Sequence, residues 1–280
     1  MTDRTKETLE KLKNGLRNLK TTEEYINYMK FMSMFYNYSF NNVMLIMLQY
    51  PEASLVAGYS KWRKWNRYIK KGEKAISVIA PIPRTVKKIN EKTGEEEEGN
   101  YLSYKAVPVF DISQTEGDPL PKFGIDELKQ SVNFYEKTID NLKLVSRAPI
   151  YIDSKWKGEA KGYYNTKKHE IHIKDGMSQL QTIKTMLHEI AHSFMHNEEK
   201  MKEEKTDINT REVEAESVAF VVCEYLGLDT SEYSFWYIAS WLKDVEIETL
   251  TNTLDKIQTT ANYIIDKYNL YGGIKNVKEN

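Results

Sequence analysis

The sequence contains one cysteine, Cys223, among 280 residues, so no internal disulfide is possible. That cysteine lies on an apolar helical face, which leads us to expect a reduced, buried thiol. No apolar run approaches the roughly 20 residues that cross a bilayer, so no membrane partner is expected. No secretory leader pattern appears either, because the first thirty residues are charged and helical in pattern. A cytoplasmic location is the expectation. No internal repeat is visible. Net charge is nearly absent too, at −1.

That neutrality hides an asymmetry. Residues 1–90 hold 17 Lys and Arg against 7 Asp and Glu, a net +10, and the remainder carries −11. A basic first half fits a polyanionic partner, or attraction between the two halves. With 40% hydrophobic and 12% aromatic residues the chain can bury a core, and its length admits two domains.

The stretch with the clearest chemistry is Met186-Leu187-His188-Glu189-Ile190-Ala191-His192. Residues four apart share a helix face, so His188 and His192 can offer two imidazoles to one metal ion. Glu189 stands beside them, placed to accept a proton from a water activated there. Ser178-x-x-Gln181 reads as a capping box, and Leu180, Ile183, Leu187, Ile190, Ala191 and Phe194 form an apolar stripe. His196 lies eight residues from His188, about 12 Å along a helix, too far to share its ion. No Gly bends the chain towards a third His.

A third ligand is expected from Arg211 to Phe220. On a helix wheel Ala215, Val218, Ala219, Val222, Cys223 and Leu226 form one apolar arc. Glu212 falls inside it, Glu216 at its edge and Glu214 opposite. A carboxylate aimed into an apolar face needs a partner or a metal, which favours Glu212 as ligand. Glu216 remains possible, although it suits a second role, orienting a ligand imidazole.

In the first half the notable stretch is Gly58 to Lys74. Seven basic residues and one acidic residue lie between 61 and 74, interleaved with aromatics. Cations neutralise phosphates and aromatic faces stack on unpaired bases, so Tyr59, Lys61, Trp62, Arg63, Trp65, Arg67, Lys70, Lys71 and Lys74 are candidate contacts for single-stranded DNA. The plainer alternative is a solvated basic helix whose rings pack inward.

His188-Glu-Ile-Ala-His192 followed by Glu212-x-x-Ala-x-x-x-Ala219 resembles the ImmA/IrrE-type metallopeptidases, and more closely the C-terminal domain of ArdC-type antirestriction proteins. Ser39-x-x-Asn42, Gly58-Tyr59-x-x-Trp62, Lys70-Lys-Gly-Glu-Lys74 and Val109-Phe-Asp-x-x-Gln114-Thr115 match, in order, the ArdC-type N-terminal domain. Tyr237 to Leu242 and a long last helix fit the same pattern. This resemblance implies a mobile-element protein that protects incoming DNA, with a single-stranded-DNA domain and a peptidase domain.

The expected fold is α+β: an N-terminal α+β nucleic-acid-binding domain over 1–118, then a zincin-like metallopeptidase domain over 119–280. Helices are expected within 5–50, at 125–142, around the two motif stretches and at 234–243 and 246–268. Strands are expected at 75–89, 101–110 and 142–152, with a hairpin over 162–173, a solvated acidic tip at 90–100 and a linker at 114–121. The strand before the metal helix would edge a peptide-binding cleft, and His169 and His172 are expected at the surface. The expected cofactor is Zn²⁺, held by His188, His192 and Glu212, with Glu189 as general base and Tyr233 or Tyr237 as candidate oxyanion stabilisers. Two other functions fit the same residues. One is a single-stranded-DNA-binding protein with a structural or vestigial zinc site. The other is an ImmA-like regulatory protease that cleaves a repressor.

Overall fold

The computed structural model describes residues 3–19, 21–89, 96–120, 134–230 and 236–272. Two compact units emerge that are not consecutive in sequence. One comprises Met1–Asn18 with Asn41–Leu120, the other Leu19–Phe40 with Pro121–Asn280.

The first unit is built on a long antiparallel hairpin, β3 (Ile76–Ile89) and β4 (Glu96–Asp111), in register from Ile76↔Val109 to Ile89↔Glu96. A short strand β1 (Val56–Ala57) pairs with the other edge of β4. Helix α3 (Phe40–Gln49) caps the open edge of β3 with two amides. Asn42 donates to the Ile79 carbonyl and accepts from its N–H, each at 2.8 Å. Gln49, two turns on, does the same to Ser77 at 2.9 and 3.1 Å. Each side chain thus stands in for a neighbouring strand, which protects an edge that would otherwise pair with another chain. Helix α1 (Asp3–Asn18) is tied to the same strand by Arg4, whose guanidinium donates to Ser77 Oγ at 2.8 Å.

Asp111 ends β4 and is fully buried. Its carboxylate accepts the N–H groups of Ser54, Leu55 and Ser113 and caps a short 3₁₀ turn closed by Gln114. Helix α4 (Tyr59–Lys64) and strands β2 (Arg67–Ile69) and β5 (Thr115–Gly117) complete the unit. The expected linker at 114–121 is therefore partly a paired strand. Gly117 has φ +132°, and a Cβ there would lie 2.3 Å from the Asn66 carbonyl oxygen, so only glycine fits.

The second unit surrounds one buried helix. Helix α8 (Ile208–Tyr225) packs against α2 (Thr22–Met34), α6 (Gln179–Met195) and α10 (Ile247–Tyr271). Every residue from Val213 to Cys223 is buried, as expected of a helix with neighbours on several sides. Helix α2 starts with a reciprocal capping box between Thr21 and Glu24. Its Tyr25 hydroxyl bonds Ser217 Oγ on α8 at 2.8 Å. Helix α10 buries Leu250, Leu254, Ile257, Ala261, Ile264, Ile265 and Tyr268, a stripe at helical spacing.

The remaining layer is a three-stranded sheet of order β6 (Ile150–Asp153), β8 (Glu170–Lys174), β7 (Gly162–Asn165). β6 runs parallel to β8, and β7 antiparallel. The strand expected over 142–152 splits. Residues to Val145 finish helix α5 (Phe134–Val145), and the strand begins only after Pro149. The strand nearest the metal helix in sequence, β8, is central, so the sheet edge beside α6 is β7. Two short helices, α7 (Glu198–Glu203) and α9 (Trp236–Asp244), flank α8 in sequence. The expected helical start at 125–133, the hairpin tip at 90–95 and Tyr233 lie outside the described residues, as does the Tyr237 side chain.

Candidate metal centre and basic–aromatic surface

Helix α6 begins at Ser178, whose hydroxyl accepts the Gln181 N–H at 3.3 Å. The reciprocal half of the expected capping box is replaced, because the Gln181 amide turns to Thr185 Oγ1 instead. Two turns further, His188 and His192 face the start of α8, their Nε2 atoms 3.0 Å apart. The two carboxylate oxygens of Glu212 lie 3.4 Å from His188 Nε2 and 3.5 Å from His192 Nε2. Two donors bound tetrahedrally at zinc distances of 2.0–2.1 Å sit about 3.3 Å apart. The separations lie near that edge, with each imidazole facing a different Glu212 oxygen, and one ligand atom from each of the three residues lies within 4.8 Å of the others, a grouping able to hold a divalent ion.

Each imidazole is held from behind. His188 Nδ1 is 3.1 Å from Glu216 Oε2, and the buried Lys184 ammonium stands 2.6 Å from the other Glu216 oxygen. His192 Nδ1 is 2.8 Å from His196 Nδ1, and His196 Nε2 is 2.8 Å from Glu214 Oε2. Burial lowers the basicity of His188, but its contacts with Glu212 and Glu216 outweigh that and push its pKa up to about 10. Glu212 is held well below the usual carboxylate range by His188 and His192 against the cost of burial. Burial opposes the ionised form of Glu216, yet His188 and Lys184 bring it down to about 2.

Glu189 is buried, and burial raises its pKa above the ordinary carboxylate value. Its carboxylate accepts the backbone N–H of Tyr164 in edge strand β7. Gly162 permits that approach, since a Cβ there would come 3.2 Å from Glu189 Cγ and 2.7 Å from Thr185 Cγ2. A cavity of about 290 Å³ opens beside these groups, lined by His188, Glu189, Glu216, Lys184, Lys161 and Gly162 among others.

Helix-wheel expectations for the three glutamates need correcting. Glu212 does not point into the core, because its side chain is 47% exposed, whereas Glu214, placed opposite the apolar arc, is 1% exposed. A wheel assumes one wet face, but from Val213 to Cys223 α8 is buried all round, so its "outer" side there is also interior, while its first turn stays open to water. His196, set aside as too distant for the ion, is buried against His192. The signal for it was spacing: i, i+4 and i+8 place His188, His192 and His196 in one row. His169 is exposed as expected. His172 is partly covered, its ring stacked between Tyr151 and Tyr163 on the sheet face.

The basic–aromatic stretch divides by burial. Trp62 is fully buried, its indole N–H donating to the Phe110 carbonyl at 3.0 Å, so its ring is core and cannot meet a base. Trp65 packs edge-on against it and is half-buried, with Lys61 Nζ 4.9 Å from its ring centre. Arg67 is spent on Thr115 and Asp118 backbone and side-chain oxygens, and Lys70 donates to the Ser113 carbonyl. Tyr59 and Tyr68 are 54% and 45% exposed. The Arg63 guanidinium lies 5.9 Å and 5.0 Å from their ring centres. Lys71 and Lys74 are exposed on a turn whose Gly72 takes φ +94°. Tyr68 lies outside the expected contact set, yet its ring is exposed beside Arg63.

Residues 1–110 match the N-terminal domain of anti-restriction factor ArdC, and residues 150–236 match the IrrE N-terminal-like domain of the M78 peptidases. An uncharacterized protein of Bacillus anthracis is 28% identical across a 313-position alignment, covering 94% of this chain and 51% of its own length. The chain thus spans about half the length of that relative. The metal-free crystal structure of antirestriction protein ArdC from plasmid R388 superposes with a TM-score of 0.50 at 19% identity, over 81% of this chain and 84% of its own. Its manganese(II)-bound structure superposes at 0.49, also at 19% identity, over 87% and 96%. The superposition at 0.50 shows a shared fold.

Proposed function

Starting from a chain that belongs to the ArdC-like antirestriction family, an ArdC-type N-terminal domain joined to an IrrE-type peptidase domain, we propose a DNA-protection protein of a mobile element. It binds single-stranded DNA through its first domain and carries a zinc-dependent peptidase site in its second. The observation that carries this proposal is the triangle of His188, His192 and Glu212 with Glu189 beside it. Two imidazoles and one carboxylate are a zinc donor set. Three protein ligands of this kind, with water in the fourth position, are the pattern of catalytic rather than structural zinc sites.

A divalent ion held there supplies Lewis acidity towards water and a peptide carbonyl. The protein supplies the rest. Glu189 takes the proton of the attacking water and returns it to the leaving amine, and burial raises its pKa in the direction that helps it hold the proton between those steps. Glu216, anchored by Lys184, keeps His188 oriented. A peptide would lie along edge strand β7, with one side chain entering the adjoining cavity. In the first domain, Tyr59, Tyr68 and Arg63 offer stacking surfaces, and Lys71 and Lys74 add exposed cations for phosphates. Among the described residues no helix is long and apolar enough to cross a membrane, and the protein is proposed to act in the cytoplasm.

Glu189→Gln separates the parts. This variant should keep one zinc per chain by elemental analysis and bind a labelled single strand as the parent does. Any peptide cleavage by the parent should vanish. A parent protein that takes up neither zinc nor manganese would overturn the metal centre. Equal affinity for single strands and duplex would overturn the stacking surface.

A further inference from the structure

His196 and Glu214 form a buried pair that the metal motif does not require. Their side chains are 6% and 2% exposed. Burying an imidazole and a carboxylate costs stability unless each is matched to a partner. Here the contacts form one chain, from His192 through His196 and Glu214 to α10. His196 caps the C-terminus of α6 and its N–H donates to the His192 carbonyl, which fixes its backbone one turn beyond the ligand. Its Nδ1 then meets His192 Nδ1 at 2.8 Å, and its Nε2 meets Glu214 Oε2 at 2.8 Å. The other Glu214 oxygen faces Thr253 Oγ1 at 3.4 Å and Lys256 Nζ at 3.7 Å, both on α10.

The positions of the protons follow from these contacts. A histidine that offers Nε2 to a metal must carry its proton on Nδ1. His192 Nδ1–H therefore donates to His196 Nδ1, which must be bare. His196 is then protonated on Nε2, and that N–H needs an acceptor. Glu214, an acceptor at both oxygens when ionised, provides it. One order of donors runs without conflict from Glu214 to the ligand atom of His192.

We propose that His196 and Glu214 are positioning residues for the metal centre: they lock the tautomer and ring orientation of His192, as Glu216 and Lys184 do for His188. This rests on the metal-centre proposal above. The two supports differ in kind, since His188 is held by a charged carboxylate directly and His192 by a neutral imidazole that a carboxylate holds in turn. Helix α10, through Thr253 and Lys256, thereby becomes part of the support of the site.

Two measurements on the full chain test it, neither of which reads activity. The first is nitrogen–proton NMR of the imidazoles in the zinc-loaded parent protein. His192 should be protonated on Nδ1 and His196 on Nε2, and the opposite tautomer at either would overturn the relay. The second is zinc affinity by competition with a chromophoric chelator. His196→Phe, which fills the site without an acceptor, should weaken zinc by about 10- to 100-fold. His196→Asn, whose Oδ1 takes the place of Nδ1, should recover to within about 5-fold of the parent. A His196→Phe protein that binds zinc within about twofold of the parent would overturn the relay and leave the metal centre standing. A parent that binds no metal would overturn the centre itself.

Discussion

The metal centre and the basic–aromatic surface are both polar, yet they are made in opposite ways. Around the metal centre six ionisable side chains, Lys184, His188, His192, His196, Glu214 and Glu216, lie largely out of water, each facing a partner of defined geometry. On the basic–aromatic surface Tyr59 and Tyr68 stay wet, and the buried member, Trp62, packs in the core. The difference is the one that the proposed ligands would require. An ion demands donors fixed to tenths of an ångström, which only a packed interior enforces. A flexible strand of nucleic acid needs accessible ring faces and mobile cations. In the one region a substitution disturbs a network, and in the other it removes one independent interaction.

The sharpest way to break the contrast is at the ligand itself. Glu212→Ala should lose zinc by more than the roughly 100-fold upper range for outer partners, whereas Glu216→Ala should stay within it. Chelator competition ranks the two, and full occupancy in Glu212→Ala with loss in Glu216→Ala would exchange their roles. Next in size is the internal split of the surface. Trp62→Ala should cost about 3–5 kcal/mol in denaturant unfolding, as emptying a buried indole does. Tyr59→Ala should shift stability by no more than about 0.5 kcal/mol. It should instead weaken single-strand binding by about 1–3 kcal/mol, as should Tyr68→Ala, with duplex affinity unchanged.

A smaller effect concerns the cations. Replacing Lys71 and Lys74 together by Ala should flatten the salt dependence of single-strand binding by about 1.4 in slope, roughly 0.7 for each phosphate that is no longer neutralised. Anisotropy titrations at several salt concentrations measure it, and an unchanged slope would remove both lysines from the surface. The smallest expected signal is protonic. His188 is held charged up to about pH 10 in the metal-free protein. An incoming ion must therefore displace about one proton near pH 7, and affinity should rise with pH until that proton is gone. Calorimetry of zinc binding in two buffers of different ionisation enthalpy reads the number released, and a value near zero would contradict the raised pKa.

Much of this could be read along the chain because it depends on local spacing. The four-residue interval put His188 and His192 on one face, and the apolar stripe of α6 set which way that face turns. The alternation and turn residues around 162–173 marked the hairpin correctly. Glu212 does stand beside His188 and His192, but not for the reason its place on the helix wheel suggests: burial was expected to mark it, and its side chain is half-exposed. The tryptophans illustrate the same limit. Trp62 and Trp65 look equivalent three residues apart, but only the first lies under β4 with a carbonyl to meet its N–H.

What the sequence determined by itself was the presence of two helices able to supply metal ligands, an α+β architecture and a basic half rich in aromatics. These are properties of neighbours in the chain, governed by helical and strand periods. Tertiary structure alone decided that α8 has no wet face from Val213 to Cys223, that Glu214 and His196 meet behind His192, and that α2 belongs to the unit of α8 through Tyr25 and Ser217. Each of these depends on which elements pack together across tens to hundreds of residues. A polar side chain's partner at that range is set by packing, and no local period records it.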